Sequence, residues 1–317
     1  MKCSLMAVLT ALPLGACADA GQLKTEVTIN ETLPEEVQTV LRRSVENLVF
    51  VEGGGFQMGD VGAYITNKSF NEGPLGSYEF VDKNHPDAMW MPWVFQVAGE
   101  KRTAEPVHKV TLSSYSMGKY EVTFEAFDVY TQATGNPVLA EGMLGKRSRI
   151  PRKPAHLMTW QQARDYCLWL GENTGLNMDL PTEAQWEYAA RSRGKKVAYG
   201  TDTGMPKKGT NIGPGLGVEK VGSYPPNPLG LYDMSANAKE WMLDWFAPDY
   251  YANSPEVDPR GPESGTEKSV RSGKVVLQRY HEPPKAAPRI TKEFGYEGHP
   301  YVGFRCVVNE DKPIILK

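Results

Sequence analysis

The sequence predicts a loop-rich α+β domain, and three observations predict it. Gly 31 and Pro 24 make up more than a sixth of the 317 residues, so turns are many and long helices few. Two capping boxes, Thr159-x-x-Gln162 and Thr182-x-x-Gln185, mark helix starts. Alternating runs such as Pro106–Leu112 read as half-buried strands. With 40% hydrophobic and 23% charged residues, the chain can bury a core of one large or two ordinary domains, which excludes a disordered, fibrous or membrane-spanning class. A net charge of -3 gives no footprint for nucleic acid. Binding and chemistry are expected on loops held by a compact scaffold.

Residues 1–17 carry one Lys and an apolar run too short to span a bilayer, and end in Leu14-Gly15-Ala16-Cys17. This is an export signal with a lipobox, at which Cys17 would be lipidated and anchored to the outer membrane. The alternative is cleavage after Ala18-Asp19-Ala20 at residue 20, releasing a soluble periplasmic protein. Either route ends in an oxidising compartment. There, the remaining Cys167 and Cys306 default to a disulfide, with buried free thiols as the alternative.

Residues 18–47 read as a polar spacer with an entry helix near Val37–Leu41. Leu48–Gly59 gives two apolar runs broken by Gly53-Gly54-Gly55, the pattern of a hairpin. No Lys-Ser/Thr follows these glycines, so they do not make a phosphate cradle. From about 60 to 105 runs a long irregular insertion whose Trp90 and Trp93 form either its private core or a partner surface. Strands follow at Pro106–Leu112 and Tyr115–Val122, then a helix over Phe124–Ala133, capped by Thr123 and ended at Gly135. The second helix, from Thr159, places Ala163, Tyr166, Cys167 and Leu170 on one face. The third, from Thr182, points Trp186 and Ala189 inward, and a last strand lies at Val302–Val308.

One stretch concentrates chemistry, Asn227 to Trp245, where Asp233 and Glu240 flank the small residues Ser235, Ala236, Asn237 and Ala238. Oxygen ligands and main-chain carbonyls of this kind suit a hard cation such as calcium; a turn followed by a short aromatic strand is the alternative. The five histidines have no ligand spacing on one element, so no zinc or iron site is expected.

Seven motifs in order resemble the formylglycine-generating enzyme, or sulfatase-modifying factor, family. They are Val49–Gly59, Pro106–Val110, Lys119–Thr123, Trp160–Leu170, Leu180–Arg191, the Asn227–Trp245 stretch and Gly303–Cys306. The resemblance runs over about 48–312. It implies a loop-rich α+β fold related to the C-type lectin fold, with little regular secondary structure. It also implies a Cys167–Cys306 disulfide, and calcium held by the side chains of Asp233 and Glu240 and the carbonyls of Ala236 and Ala238. Asn211-Ile212 resembles the start of a second calcium site, but the loop after it is shorter here, and no second ion is expected.

The family's copper-binding cysteine pair does not carry over. On the register from Val270–Lys274 to Gly303, those positions are Leu277 and Glu282, and the neighbouring family Trp is Lys239. Without a thiolate there is no soft site for Cu(I), so no copper and no formylglycine-generating activity are expected. The resemblance then leaves two functions. One is a non-catalytic periplasmic module, binding a protein or glycan partner in the cell envelope, such as an accessory protein of type VI secretion. The other is a maturation enzyme with different chemistry, as in siderophore chromophore maturation, for which Arg279, Tyr280, His281 and Glu282 are the candidate residues. The alternative for that run is a solvated loop.

Overall fold

The computed structural model describes residues 23–66, 84, 86–91, 104–139, 149–213, 217–271, 279–285 and 301–317. It is 22% helix and 22% strand, so loops dominate as the glycine and proline content implies.

The segment expected as a spacer belongs to the domain. Strand β1 (Thr25–Val27) pairs in parallel with β14 (Ile314–Leu316), and the chain then enters helix α1 (Glu35–Glu46). The reason is apolar: Val27, Ile29, Val37, Val40, Leu41 and Val45 are all buried in one core with the later helices. That helix is longer than the Val37–Leu41 expectation because Val45 continues its buried stripe.

The expected hairpin is instead a kink. Strand β2 (Leu48–Val51) pairs with β7 (Tyr115–Gly118), and β3 (Gly54–Met58) pairs with β6 (His108–Leu112), both antiparallel. Val51 faces Tyr115 and Gly54 faces Leu112, three residues on along each strand, so the register runs unbroken through the bend. Gly53 permits it: a Cβ there would stand 2.3 Å from the Leu112 carbonyl oxygen, and its N–H donates to Ser114 Oγ at 3.0 Å. The glycines thus let two bent strands cross closely rather than turn back. Between them, β4 (Ala63–Thr66) and β5 (Ala88–Met91) make an antiparallel pair inside the insertion, where no regular structure was expected.

The helices start where the sequence places them. Helix α2 (Phe124–Thr134) is capped by Thr123 and closed by Gly135 at φ 71. Helix α3 (Trp160–Thr174) and helix α4 (Glu183–Ala190) both carry complete capping boxes. In α3, Gln162 N–H donates to Thr159 Oγ1 at 3.2 Å while Thr159 N–H donates to Gln162 Oε1 at 2.9 Å. Each satisfies an N-terminal donor that the helix itself leaves open.

Two buried clusters meet along a strand buried on both sides. Strand β9 (Lys239–Trp245) contributes Trp241 to the core of α1, α2 and α3, and Met242 to the core around α4 and β3. Period two sends neighbours to opposite faces. Strands β10 (Lys268–Arg271), β11 (Tyr280–Glu282) and β12 (Val302–Gly303) complete its sheet in the order β11-β10-β9-β12. A second sheet runs β2-β7-β13-β8, with β8 at Met178–Asp179 and β13 at Val307–Val308.

Cys167 of α3 and Cys306 are bonded, with a Cα–Cα distance of 5.6 Å across a sequence separation of 139. A Cys167→Ala/Cys306→Ala variant is expected to lose about 4 to 5 kcal/mol of stability on the loop-entropy model. Urea denaturation reads this directly, and an unchanged midpoint would show that the crosslink adds nothing.

Candidate functional site

Around Asp233 the loop folds on left-handed residues, Asp233 at φ 62 and Asn237 at φ 70, types that tolerate this region. Asp233 Oδ2 accepts the Gly222 N–H at 2.7 Å, and Asn237 Oδ1 accepts the Glu219 N–H at 2.7 Å. From below, Glu121 closes the loop: its oxygens accept Ala238 N–H at 2.9 Å and Asn237 Nδ2 at 2.6 Å. Glu240 is fully buried and takes a two-pronged bond from Arg305, Nε at 2.7 Å and Nη2 at 2.9 Å, with Trp186 Nε1 at 3.1 Å.

Three carboxylates therefore share one guanidinium. Burial, then the charges of Asp233 and Glu240, push Glu121 well above the ordinary carboxylate range. Burial likewise raises Asp233 to about 6. Excess negative charge and small residues fit a hard cation held by Asp233, Glu240 and the carbonyls of Ala236 and Ala238. Three N–H groups hold the Glu240 carboxylate, which leaves Oε1 with one free acceptor position. Among the described residues no three His, Cys, Asp or Glu side chains gather as metal ligands, so such an ion would depend on main-chain oxygens. Glu121 and Arg305 both lie in the family-like motifs, yet neither the spacing nor the composition marks their roles. Asn211 turns into its own loop, its Oδ1 on Lys207 N–H and its Nδ2 on Asp202 and Met205.

Tyr280–Glu282 is strand β11 with Arg279 buried just before it, not a solvated loop, and His281 and Glu282 do not form an acid–base pair. Arg279 is 5% exposed, bound to both oxygens of Glu183 at 2.8 and 3.1 Å and held between Phe246 and Tyr251. His281 lies with Nδ1 2.9 Å from Glu267 Oε2 and its ring stacked on Phe246 at 4.1 Å. Glu282 lies 3.9 Å from Lys239 Nζ, which also covers the Tyr280 ring at 4.4 Å. Successive strand residues face opposite sides, so His281 and Glu282 diverge, while Tyr280 and Glu282 share a face with Lys239. Leu277, Trp93 and Cys17 lie outside the described residues, and of Trp90 only the backbone, on β5 opposite Tyr64, is described.

Behind this sheet stands a buried ionic cluster. Glu183 accepts from Arg279, from Arg271 Nη1 at 3.1 Å and from Ser269 Oγ at 3.1 Å. Glu187 joins Arg271 at 2.8 Å and Arg191 at 2.8 Å. Burial alone would raise Glu183, but Arg279 and Arg271 outweigh it and hold the carboxyl below its ordinary value. Asp244 accepts the Glu183 N–H at 2.9 Å, and burial followed by the Glu183 charge lifts it to about 7.

An acid whose pKa rises on folding keeps its proton longer in the folded chain. Between the ordinary value of 3.8 and about 7, the unfolded chain has released that proton and the folded chain has not. Stability is therefore expected to fall as pH rises through this window and to level off above it. Asp244→Asn, which keeps an acceptor for the Glu183 N–H, is expected to make that slope shallower, most clearly between about pH 6 and 7, above the Asp233 value; equal urea midpoint profiles in both chains would overturn the assignment.

Residues 33–310 match the family model described as the Sulfatase-modifying factor enzyme 1-like domain. The formylglycine-generating enzyme of Streptomyces coelicolor is 34% identical over 190 residues, 53% of this chain and 57% of that protein. The serine/threonine-protein kinase pkn1 of Chlamydia pneumoniae is 33% identical over 228 residues, 66% of this chain but 35% of that protein. The chain thus spans about a third to somewhat over half of these relatives. Among solved structures, PvdO from Pseudomonas aeruginosa superposes with a TM-score of 0.57 at 22% identity, covering 82% of this chain and 93% of that one, which shows a shared fold. With its capping boxes, disulfide and Glu240–Arg305 pair set in a family match of this length, the chain belongs to the sulfatase-modifying factor enzyme 1-like domain family.

Proposed function

We propose that this chain is an exported, calcium-stabilised and non-catalytic member of its family, working in the periplasm as a binding or accessory module, for example beside a secretion system. One observation carries the reading. The matched domain holds two cysteines, and both are spent in the Cys167–Cys306 bond, so no thiolate remains to hold copper or to exchange with a substrate thiol. The divergence of His281 and Glu282 and the burial of Arg279 support the same reading. Lipidation at Cys17 would tether the module, and a protein or glycan of the cell envelope would be its partner. Trp90 and Trp93 are the candidate contact residues.

A second reading has one observation in its favour. Lys239, Tyr280 and Glu282 meet at the sheet edge with their side chains part exposed, an ammonium within 3.9 Å of a carboxylate. Such a pair would serve a maturation enzyme with chemistry other than formylglycine generation, as in siderophore chromophore maturation.

The purified chain, supplied with copper and a cysteine-bearing sulfatase peptide, is expected to yield no aldehyde by hydrazide labelling. Aldehyde formation would overturn the non-catalytic reading. Loss of partner capture from native envelopes in a Lys239→Ala/Glu282→Ala chain, with no small-molecule turnover in the parent, would support binding at this edge.

Calcium would be held by Asp233, Ala236, Ala238 and Glu240, offsetting the surplus of buried carboxylates. At a hundredfold excess over its Kd it would add about 2.7 kcal/mol. Thermal melts are expected to move up by several degrees with added calcium and down with chelator. They should not move in Asp233→Ala, and an unresponsive parent chain would refute the ion.

A further inference from the structure

A cavity of about 830 Å³ opens between α1, the connection from β7 to α2, and α2 itself, and none of residues 279–282 lines it. That size lies within the ~300–1,000 Å³ of small-molecule sites. Its walls divide by chemistry. Val40, Leu48, Val129, Leu170 and Met178 give an apolar lining, with Tyr166 and the disulfide-bonded Cys306 among them. Three cations also line it: Arg43, which lies 3.9 Å from Glu125, and Lys119 and Arg152, for which no carboxylate partner is found among the described residues. The Nζ of Lys119 rests over the rings of Tyr120 and Tyr232 at 5.6 and 5.5 Å, a contact that leaves its charge uncompensated.

The chain brings the Lys119 and Arg152 segments to the same tyrosine. Val221 N–H donates to the Arg152 carbonyl at 2.9 Å, and the next residue, Gly222, approaches the Tyr120 ring so closely that a Cβ would lie 2.8 Å from it. Acidic residues also line the cavity, but they are otherwise engaged or distant. Glu121 gives both oxygens to Asn237 and Ala238, and Glu125 lies 3.9 Å from Arg43. Glu35 and Glu36 sit in the first turn of α1, where the helix dipole favours them. Lys119 stands at the other end of that helix, its N–H donating to the Asn47 carbonyl at 2.7 Å. Cations without a carboxylate partner and apolar side chains in one cavity define what fits.

We propose that this cavity binds a small amphipathic anion, a carboxylate on an apolar body such as a fatty acid or an acylated amino acid. The carboxylate would face Lys119 and Arg152, and the apolar body would lie along Val40 and Val129. The cavity adjoins the calcium loop through Glu121, but the proposal needs neither the ion nor the Arg279–Glu282 residues, so its test is distinct from those of the proposed function.

The test is displacement of anilinonaphthalene sulfonate from the full chain by decanoate, with decanol as the uncharged control. Saturable one-to-one displacement by decanoate is expected, with decanol at least tenfold weaker. Lys119→Ala/Arg152→Ala should weaken decanoate about tenfold and leave decanol unchanged, at an unaltered melting temperature. Ala126→Trp, which fills the cavity, should abolish displacement. If that variant fails to fold, the comparison of decanoate with decanol decides alone. No saturable probe binding, equal affinity for acid and alcohol, or decanoate binding indifferent to both variants would overturn the proposal.

Discussion

Arg305 and Glu240 meet with no exposure to solvent, and five segments of the chain depend on that meeting. Besides its two bonds to Glu240, the guanidinium donates to the carbonyls of Gly118, Lys119 and Tyr232. It thereby joins β9, the end of β7, the loop before Asp233 and, through its neighbour Cys306, the disulfide to α3. Trp186 of α4 adds its indole N–H to the same carboxylate. Removing one partner of a fully buried pair strands the other charge, at a cost of about 3 to 5 kcal/mol. Only a planar fork with five donors can serve so many acceptors at once, which a lysine cannot do.

The second ionic cluster works the same way on the same face of the sheet, where Arg271 pairs in register with Glu240 and lies over the Trp186 ring. Glu183 and Glu187, four residues apart on α4, present their carboxylates to Arg271 of β10, and Arg279 locks the start of β11 onto Glu183. The helix is thus bound to the sheet by charge where the loop-rich chain has little regular structure to do it. This is why Arg279, a candidate residue for a maturation enzyme, is a buried fastening. Nearby, Lys239, Tyr280 and Glu282 stay part exposed and His281 exposed, above these buried fastenings.

The parts of the fold readable in advance were those governed by local rules. Thr159 and Thr182 announce their helices because a capping box is complete within four residues, and Cys167 falls on the buried stripe of α3 by simple period. The failures were all questions of what a segment meets at long range. Nothing near Gly53 says that its flanks pair with residues sixty positions on, and nothing near Val27 says that a strand from the chain's far end will pair beside it. In the same way, Glu240 was legible as an acidic residue beside small ones, but its partner Arg305 lies 65 positions away. Glu121 went unassigned because a lone Glu in an alternating run carries no sign of burial.

The kinked ribbon of β2-β3 and β6-β7 has one more consequence. Met58 faces His108, and beyond them Asp60 N–H donates to the Ala104 carbonyl at 2.9 Å, so the insertion leaves and re-enters the domain through a single narrow neck. A loop closed at such a neck adds entropy only with the logarithm of its length. The scaffold is therefore nearly indifferent to how much chain hangs there. That makes the neck a graft point, at which chain beyond Val61 and before Ala104, the two residues that pack on the core there, can change in length at small entropic cost.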